Sequence, residues 1–145
     1  MSAQIVFHEI KGNLFEAPAD FALAHCVTTN MSMAAGIARE FKSRFGRVQE
    51  LKDQKVTVGG VAVIKHETRY IYYLVTKDNA YKKPTYDDLK SSLVAMKNHM
   101  VTNQVAKLAI PQIGCGIDKL EWAKVKQILH DVFEGETVEV TVYSL

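Results

Sequence analysis

The sequence predicts one α/β domain, with helices on both faces of a mixed or mostly parallel sheet. Three observations predict it. Strand-length apolar runs alternate with helical segments along the whole chain. One of those runs, YIYYLVT from Tyr70 to Thr76, is nearly continuous in apolar and aromatic residues, the pattern of a strand covered on both faces. The 145 residues, 48% apolar and 23% charged, suffice for one ordinary core, and no repeat or Pro/Gly-rich linker divides 1–145 into smaller units.

Taken in order, Ile5 to Ile10 reads as a first strand, ended by Gly12 and Asn13. Phe21 to Val27 is a second apolar run of strand length. From Ala35 to Phe45 the spacing is helical, with Ile37, Phe41 and Phe45 on one face. A helical turn over Val48 to Lys52 follows, then strands at Val61 to Lys65 and Tyr70 to Thr76. Thr85 starts a long helix: Pro84 precedes it, Asp88 holds the capping-box position, and Leu89, Leu93, Met96 and Met100 form a stripe. After a short strand at Leu108 to Ile110, Asp118 with Glu121 repeats the capping pattern. It opens a helix that turns Trp122, Val125, Leu129 and Val132 inward. Val138 to Tyr143 alternates as a last strand.

Composition excludes several classes of function. A formal charge of +2 without any run of like charges gives no electrostatic footprint for nucleic acid. The two cysteines, Cys26 and Cys115, lack the spacing of a disulfide framework or a zinc site, so neither a metal nor a cofactor is expected. MSAQIVFHEI has no apolar signal core, and no stretch approaches the ~20 apolar residues that span a bilayer. The expectation is an intracellular monomer, nuclear or cytoplasmic, with no membrane partner.

In such folds ligands bind beyond the carboxyl ends of strands. Two strand-to-helix connections rich in small residues stand there: Met33-Ala34-Ala35-Gly36-Ile37, and Pro111-Gln112-Ile113-Gly114-Cys115-Gly116-Ile117-Asp118. Glycines let backbone approach a ligand closely, and the N–H groups at a helix start favour an anion. In the first loop the glycine serves a tight turn as readily as a ligand. In the second, two glycines around Cys115 point to a phosphate cradle. The loop is neither a P-loop nor a dinucleotide fingerprint, which needs a third glycine. Cys115 at a helix start has the surroundings of an activated thiol, yet no histidine is placed to activate it. His25 adjoins Cys26, but neighbours on a strand point to opposite faces. Its expected role is a small residue lining the loop.

The pieces IKGNLF (Ile10 to Phe15), AHCVTT (Ala24 to Thr29), MAAGIA (Met33 to Ala38), YIYYLVTK (Tyr70 to Lys77), KPTYDDLKSSL (Lys83 to Leu93) and PQIGCGIDKLEW (Pro111 to Trp122) resemble the macrodomain family, and within it the terminal ADP-ribose protein glycohydrolases. The resemblance implies a single three-layer α/β/α domain with a central mixed sheet. It implies a hydrolase that removes mono-ADP-ribose from glutamate side chains and deacetylates O-acetyl-ADP-ribose. Its partners would be ADP-ribose, O-acetyl-ADP-ribose and ADP-ribosylated proteins. By resemblance Lys77 is the nucleophile at the anomeric carbon of the distal ribose, and Asp118 the acid and base. The implied ligand contacts are Asn13, Leu14, Thr28, Ala35, Gly36, Ile37, Gln112, Ile113, Gly114, Cys115, Gly116, Ile117, Asp118 and Leu145. A lysine nucleophile must be neutral, and a free pKa near ~10.4 leaves under ~0.1% neutral at pH 7. Burial beside the apolar strand would lower that value, while Asp118 would raise it.

Two departures from the family pattern carry expectations. Asn13 stands where macrodomains have aspartate, so the bond from the adenine amino group loses its charge assistance, about 1 kcal/mol. Ala34 replaces a glycine and would strain its loop if that position required a positive φ. Two other activities fit the same pieces: a reader that binds ADP-ribose without cleaving it, and a phosphatase acting on ADP-ribose 1″-phosphate.

Overall fold

The computed structural model describes residues 5–79, 81–115 and 119–144. Six strands form one mixed sheet: β1 (Ile5–Lys11), β2 (Ala22–Thr28), β3 (Gly60–His66), β4 (Arg69–Lys77), β5 (Lys107–Ile110) and β6 (Val138–Ser144), in the order β1-β6-β5-β2-β4-β3. Every neighbouring pair is parallel except β3 with β4, a hairpin at the sheet edge. The four helices are α1 (Gly36–Phe45), α2 (Val48–Asp53), α3 (Tyr86–Thr102) and α4 (Trp122–Val132). The α/β class, the mixed sheet and the three layers are as the sequence predicts.

Each face of the sheet has its own core. Leu89, Leu93, Met96 and Met100 of α3, with Val125 and Leu129 of α4, pack on Ala24, Tyr72, Leu74, Ile110 and Val140. Phe41 of α1 and Leu51 of α2 pack on Leu23, Val27, Ile71, Tyr73 and Val75. Odd and even residues of β2 and β4 thus part between the two cores, as the period of a strand dictates. Ile71 through Thr76 are all buried, which is why that run carries no polar alternation. At the other end of the sheet, Glu9 of β1 accepts from Trp122 Nε1 (2.7 Å) and Lys126 Nζ (2.8 Å), tying α4 to the edge strand.

Two local features differ from expectation. A short 3-10 helix, Leu14–Glu16, follows β1; Asn13 caps it by accepting from the Phe15 N–H at 2.9 Å. Three residues are too few to show any periodicity. The capping box expected at Asp118 is not what opens α4, because the N-cap is Glu121, whose side chain makes no capping bond. Lys119 has φ of +58°, in the left-handed region, so a helix cannot run through it from residue 118. Asp118 itself lies outside the described residues.

Candidate functional site

Five strands, β1, β6, β5, β2 and β4, run in one direction, so their carboxyl ends share one edge. Read across that edge, the chain offers Asn13, Ser144, the Gln112–Cys115 turn, Thr28 and Lys77. Asn13 and Lys77 follow strands four places apart, so the row spans roughly 19 Å at the usual strand spacing. The connections diverge in its middle. From β2 the chain goes through α1 and α2 toward β3 and β4; from β5 it goes through α4 toward β6 on the other face. Neighbouring strands whose connections part to opposite faces leave a crevice between the two loops.

The helix starts at that crevice differ from α3. Thr85 caps α3, its hydroxyl accepting from the Asp88 N–H at 3.0 Å, and Asp87 and Asp88 sit in the first turn. Neither α1 nor α4 has a side-chain cap or an acid in its first turn. Uncapped N–H groups, with the positive end of the helix behind them, favour an anion.

The β5–α4 loop is drawn in at its neck. Cys115 N–H donates to Gln112 C=O at 3.2 Å, and Leu120 N–H to Gly114 C=O at 2.7 Å. Gly114 has φ of +75°, a conformation that favours glycine, and a Cβ there would stand 2.7 Å from Leu120 Cδ1, so that side-chain end would have to turn aside. Ile113 is buried in the core and anchors the turn, whereas Gln112 is exposed. Glu121 N–H donates to Tyr86 Oη at 3.0 Å, holding the far end of the loop to the start of α3.

The β2–α1 loop is tied to β4. Thr29 N–H donates to Lys77 C=O at 3.1 Å and its hydroxyl to Asp78 C=O at 2.9 Å. Asn30 Oδ1 accepts from Thr28 Oγ1 (2.6 Å) and from Ser32 N–H (3.1 Å). Ala34 is not among the positive-φ residues; that conformation falls on Met31 and Met33, both buried in the core, and on Gly36. The alanine therefore imposes no such strain. Sequence reasoning missed Thr29 and Asn30. The signal available was a Thr-Thr-Asn run leaving a strand, a composition of side-chain-to-backbone turns.

Comparison with known proteins gives this geometry a family. The Macro domain model matches residues 24–129. The chain belongs to the macrodomain family. It is 49% identical over 136 residues to ADP-ribose glycohydrolase OARD1 of Homo sapiens, covering 94% of this chain and 90% of that one. The Bos taurus protein of the same name matches equally. Among solved structures, the macrodomain of Thermus aquaticus DarG superposes with a TM-score of 0.86 at 28% identity, covering 98% of this chain and 100% of that one. Thermosipho africanus DarTG in complex with ADP-ribose superposes at 0.83 and 20% identity, over 95% of this chain and 41% of that one.

The residues expected to serve this macrodomain fall into four groups. Asn13, Thr28, Lys77, Gln112, Gly114 and Cys115 stand along the carboxyl edge; Ala35, Gly36 and Ile37 lie at the α1 start. Leu14 and Ile113 are buried, at 3% and 2% exposure, so their side chains belong to the cores and their backbones are what a ligand could meet. Gly116, Ile117, Asp118 and Leu145 lie outside the described residues. Lys77 is half-buried where β4 ends. Burial pushes the Cys115 thiol up, and its Sγ bonds back to Ile113 C=O at 3.4 Å. A raised thiol pKa is the opposite of what a nucleophile needs.

Two surface grooves lie elsewhere. One, of about 290 Å³, is lined by Met100, Val105, Phe133 and Val138 among others; the second, of about 410 Å³, by Asp20, Arg69, Tyr70 and Lys107. Both are at the amino ends of the strands, opposite the row from Asn13 to Lys77. Among the described residues, no three His, Cys, Asp or Glu side chains are grouped to hold a metal ion, and no helix is long and apolar enough to cross a membrane.

Proposed function

We propose that this macrodomain binds ADP-ribose along its carboxyl edge and hydrolyses the ester joining ADP-ribose to glutamate side chains of proteins. In this reading it also deacetylates O-acetyl-ADP-ribose. The observation that carries the reading is the row from Asn13 to Lys77, with a glycine-bearing loop and uncapped helix starts at its centre. An elongated ligand with a nucleoside at one end, a diphosphate in the middle and a reactive sugar at the other fits that order. The 49% identity to ADP-ribose glycohydrolases over 94% of the chain supports a hydrolase acting on ADP-ribose. The presence of a lysine at the sugar end favours a hydrolase over a reader, which has no need of one.

Asn13 stands for the adenine end. Its Oδ1 already caps the 3-10 helix, and the second lone pair remains for the adenine amino group. The diphosphate belongs between the Gln112–Cys115 turn and the start of α1. At the sugar end the neutral Lys77 amine attacks the anomeric carbon. The N–C bond forms as the C–O bond breaks, and the glutamate leaves as carboxylate. Asp118 moves the protons, and water then hydrolyses the sugar–lysine bond, returning the lysine and releasing ADP-ribose. The partners are ADP-ribosylated proteins, in the nucleus or cytoplasm, met by a monomer.

The test is Lys77→Ala assayed beside the wild type on glutamate-linked mono-ADP-ribosylated protein. Release of ADP-ribose should be abolished while ADP-ribose affinity stays within a few-fold. Wild-type release by the variant would remove Lys77 from the mechanism, and phosphate release from ADP-ribose 1″-phosphate surviving the change would favour the phosphatase.

A further inference from the structure

Between two register pairs, β4 carries one residue more than β2. Val27 stands opposite Val75, but the next residue, Thr28, stands opposite Lys77. Thr76 is therefore bulged out of the ladder. A bulge shifts the period-two alternation by one residue, and such bulges re-aim side chains beside active sites. Counted from Tyr73 and Val75, which line the core under α1, position 77 would belong to the α1 face. Opposite Thr28 it shares a face with the series Ala22, Ala24 and Cys26, which packs toward α3 and α4. That is the face on which the β5–α4 loop departs.

The bulge has a visible cost and a visible restraint. Thr76, the bulged residue, is 1% exposed, and its Oγ1 is buried with no hydrogen-bond partner, which costs free energy. Thr29 supplies the restraint, holding two successive carbonyls, those of Lys77 and Asp78, through its N–H and its hydroxyl. We propose that Thr29 is a positioning residue for Lys77: by locking the strand beyond the Thr76 bulge, its hydroxyl sets the direction in which the lysine leaves β4. This rests on the reading of Lys77 as nucleophile.

Thr29→Val keeps the branched side chain and the backbone N–H and removes the hydroxyl. Turnover of glutamate-linked ADP-ribose should fall about tenfold, since small misplacements of a reacting group cost that much or more. KM and ADP-ribose affinity should hold within about twofold, because ground-state binding is untouched. Thr29→Ser, which restores the hydroxyl, should recover turnover, and in the Lys77→Ala background Thr29→Val should change nothing further. Wild-type kcat in Thr29→Val alongside an inactive Lys77→Ala overturns the positioning role alone. A loss of affinity or thermal stability in step with kcat, or failure of serine to rescue, overturns it too. Full activity in Lys77→Ala would instead overturn the lysine reading on which it stands.

Discussion

His25 is wholly buried, stacked on Phe41 with ring centroids 3.8 Å apart and edge-on to Tyr73 at 4.8 Å. Neither ring nitrogen has a hydrogen-bond partner. Burial lowers its pKa from 6.5 to about 3, so the folded protein holds it neutral. The sign of the pH effect follows. Below pH 6.5 the unfolded chain takes up a proton that the folded one refuses, so stability falls as pH drops from about 6.5 to about 3. From pH 7 to pH 5 this amounts to about 2 kcal/mol. Urea unfolding at the two pH values measures it, and His25→Phe should shrink the difference by that amount. At this scale the sequence was partly readable. Opposite faces for His25 and Cys26 follow from strand parity, and the structure has them so, one toward Phe41 and the other toward the α3–α4 core. The reading of Lys77 as nucleophile came from resemblance, because a lysine at a strand end is ordinarily just solvated. The bulge at Thr76 was not readable at all, since register belongs to a pair of strands and one strand does not encode it alone.

Helices and strands stood out wherever an apolar period ran long enough. In α3 the stripe Leu89, Leu93, Met96 and Met100 lies at 0–1% exposure. Leu93→Ala should cost about 3 kcal/mol by leaving a cavity that the sheet beneath cannot fill, measurable as a lowered denaturation midpoint at unchanged slope. Capping was readable at one helix and misleading at the other. Thr85 caps α3 as its pattern indicates, but the same pattern at Asp118 and Glu121 lies across a left-handed residue, Lys119. The pattern records residue types at a spacing, whereas the chain's path there is set by the bond from Leu120 N–H to Gly114 C=O. The 3-10 turn after β1 escaped notice for want of length.

Over the whole molecule, alternating elements imply α/β layers, but no local signal states the strand order. The crevice exists because β2 and β5 are neighbours whose connections diverge, and that adjacency joins residues 86 positions apart, as in the pair Ala22 and Leu108. The order also makes one strand pivotal. β6 lies between β1 and β5, with Val138, Val140 and Val142 in the core. Val140→Ala should therefore loosen β1 and β6 first. Hydrogen exchange should quicken in Ile5–Lys11 well before it does in Ile71–Val75, and equal acceleration in both would contradict this.

The place of β1 has a consequence for how the protein is made. Among the described residues its one strand neighbour is β6, more than a hundred residues further along the chain. On a ribosome, β1 emerges early and must wait, unpaired, while the strands from β2 to β5 assemble. Asn13 can take its place only when β6 arrives and the Gly12 N–H meets Ser144 C=O. A nascent chain stalled before β6 would thus carry Thr28 and Lys77 at the carboxyl edge without Asn13 in its place, and the row would stay incomplete until synthesis had passed that strand.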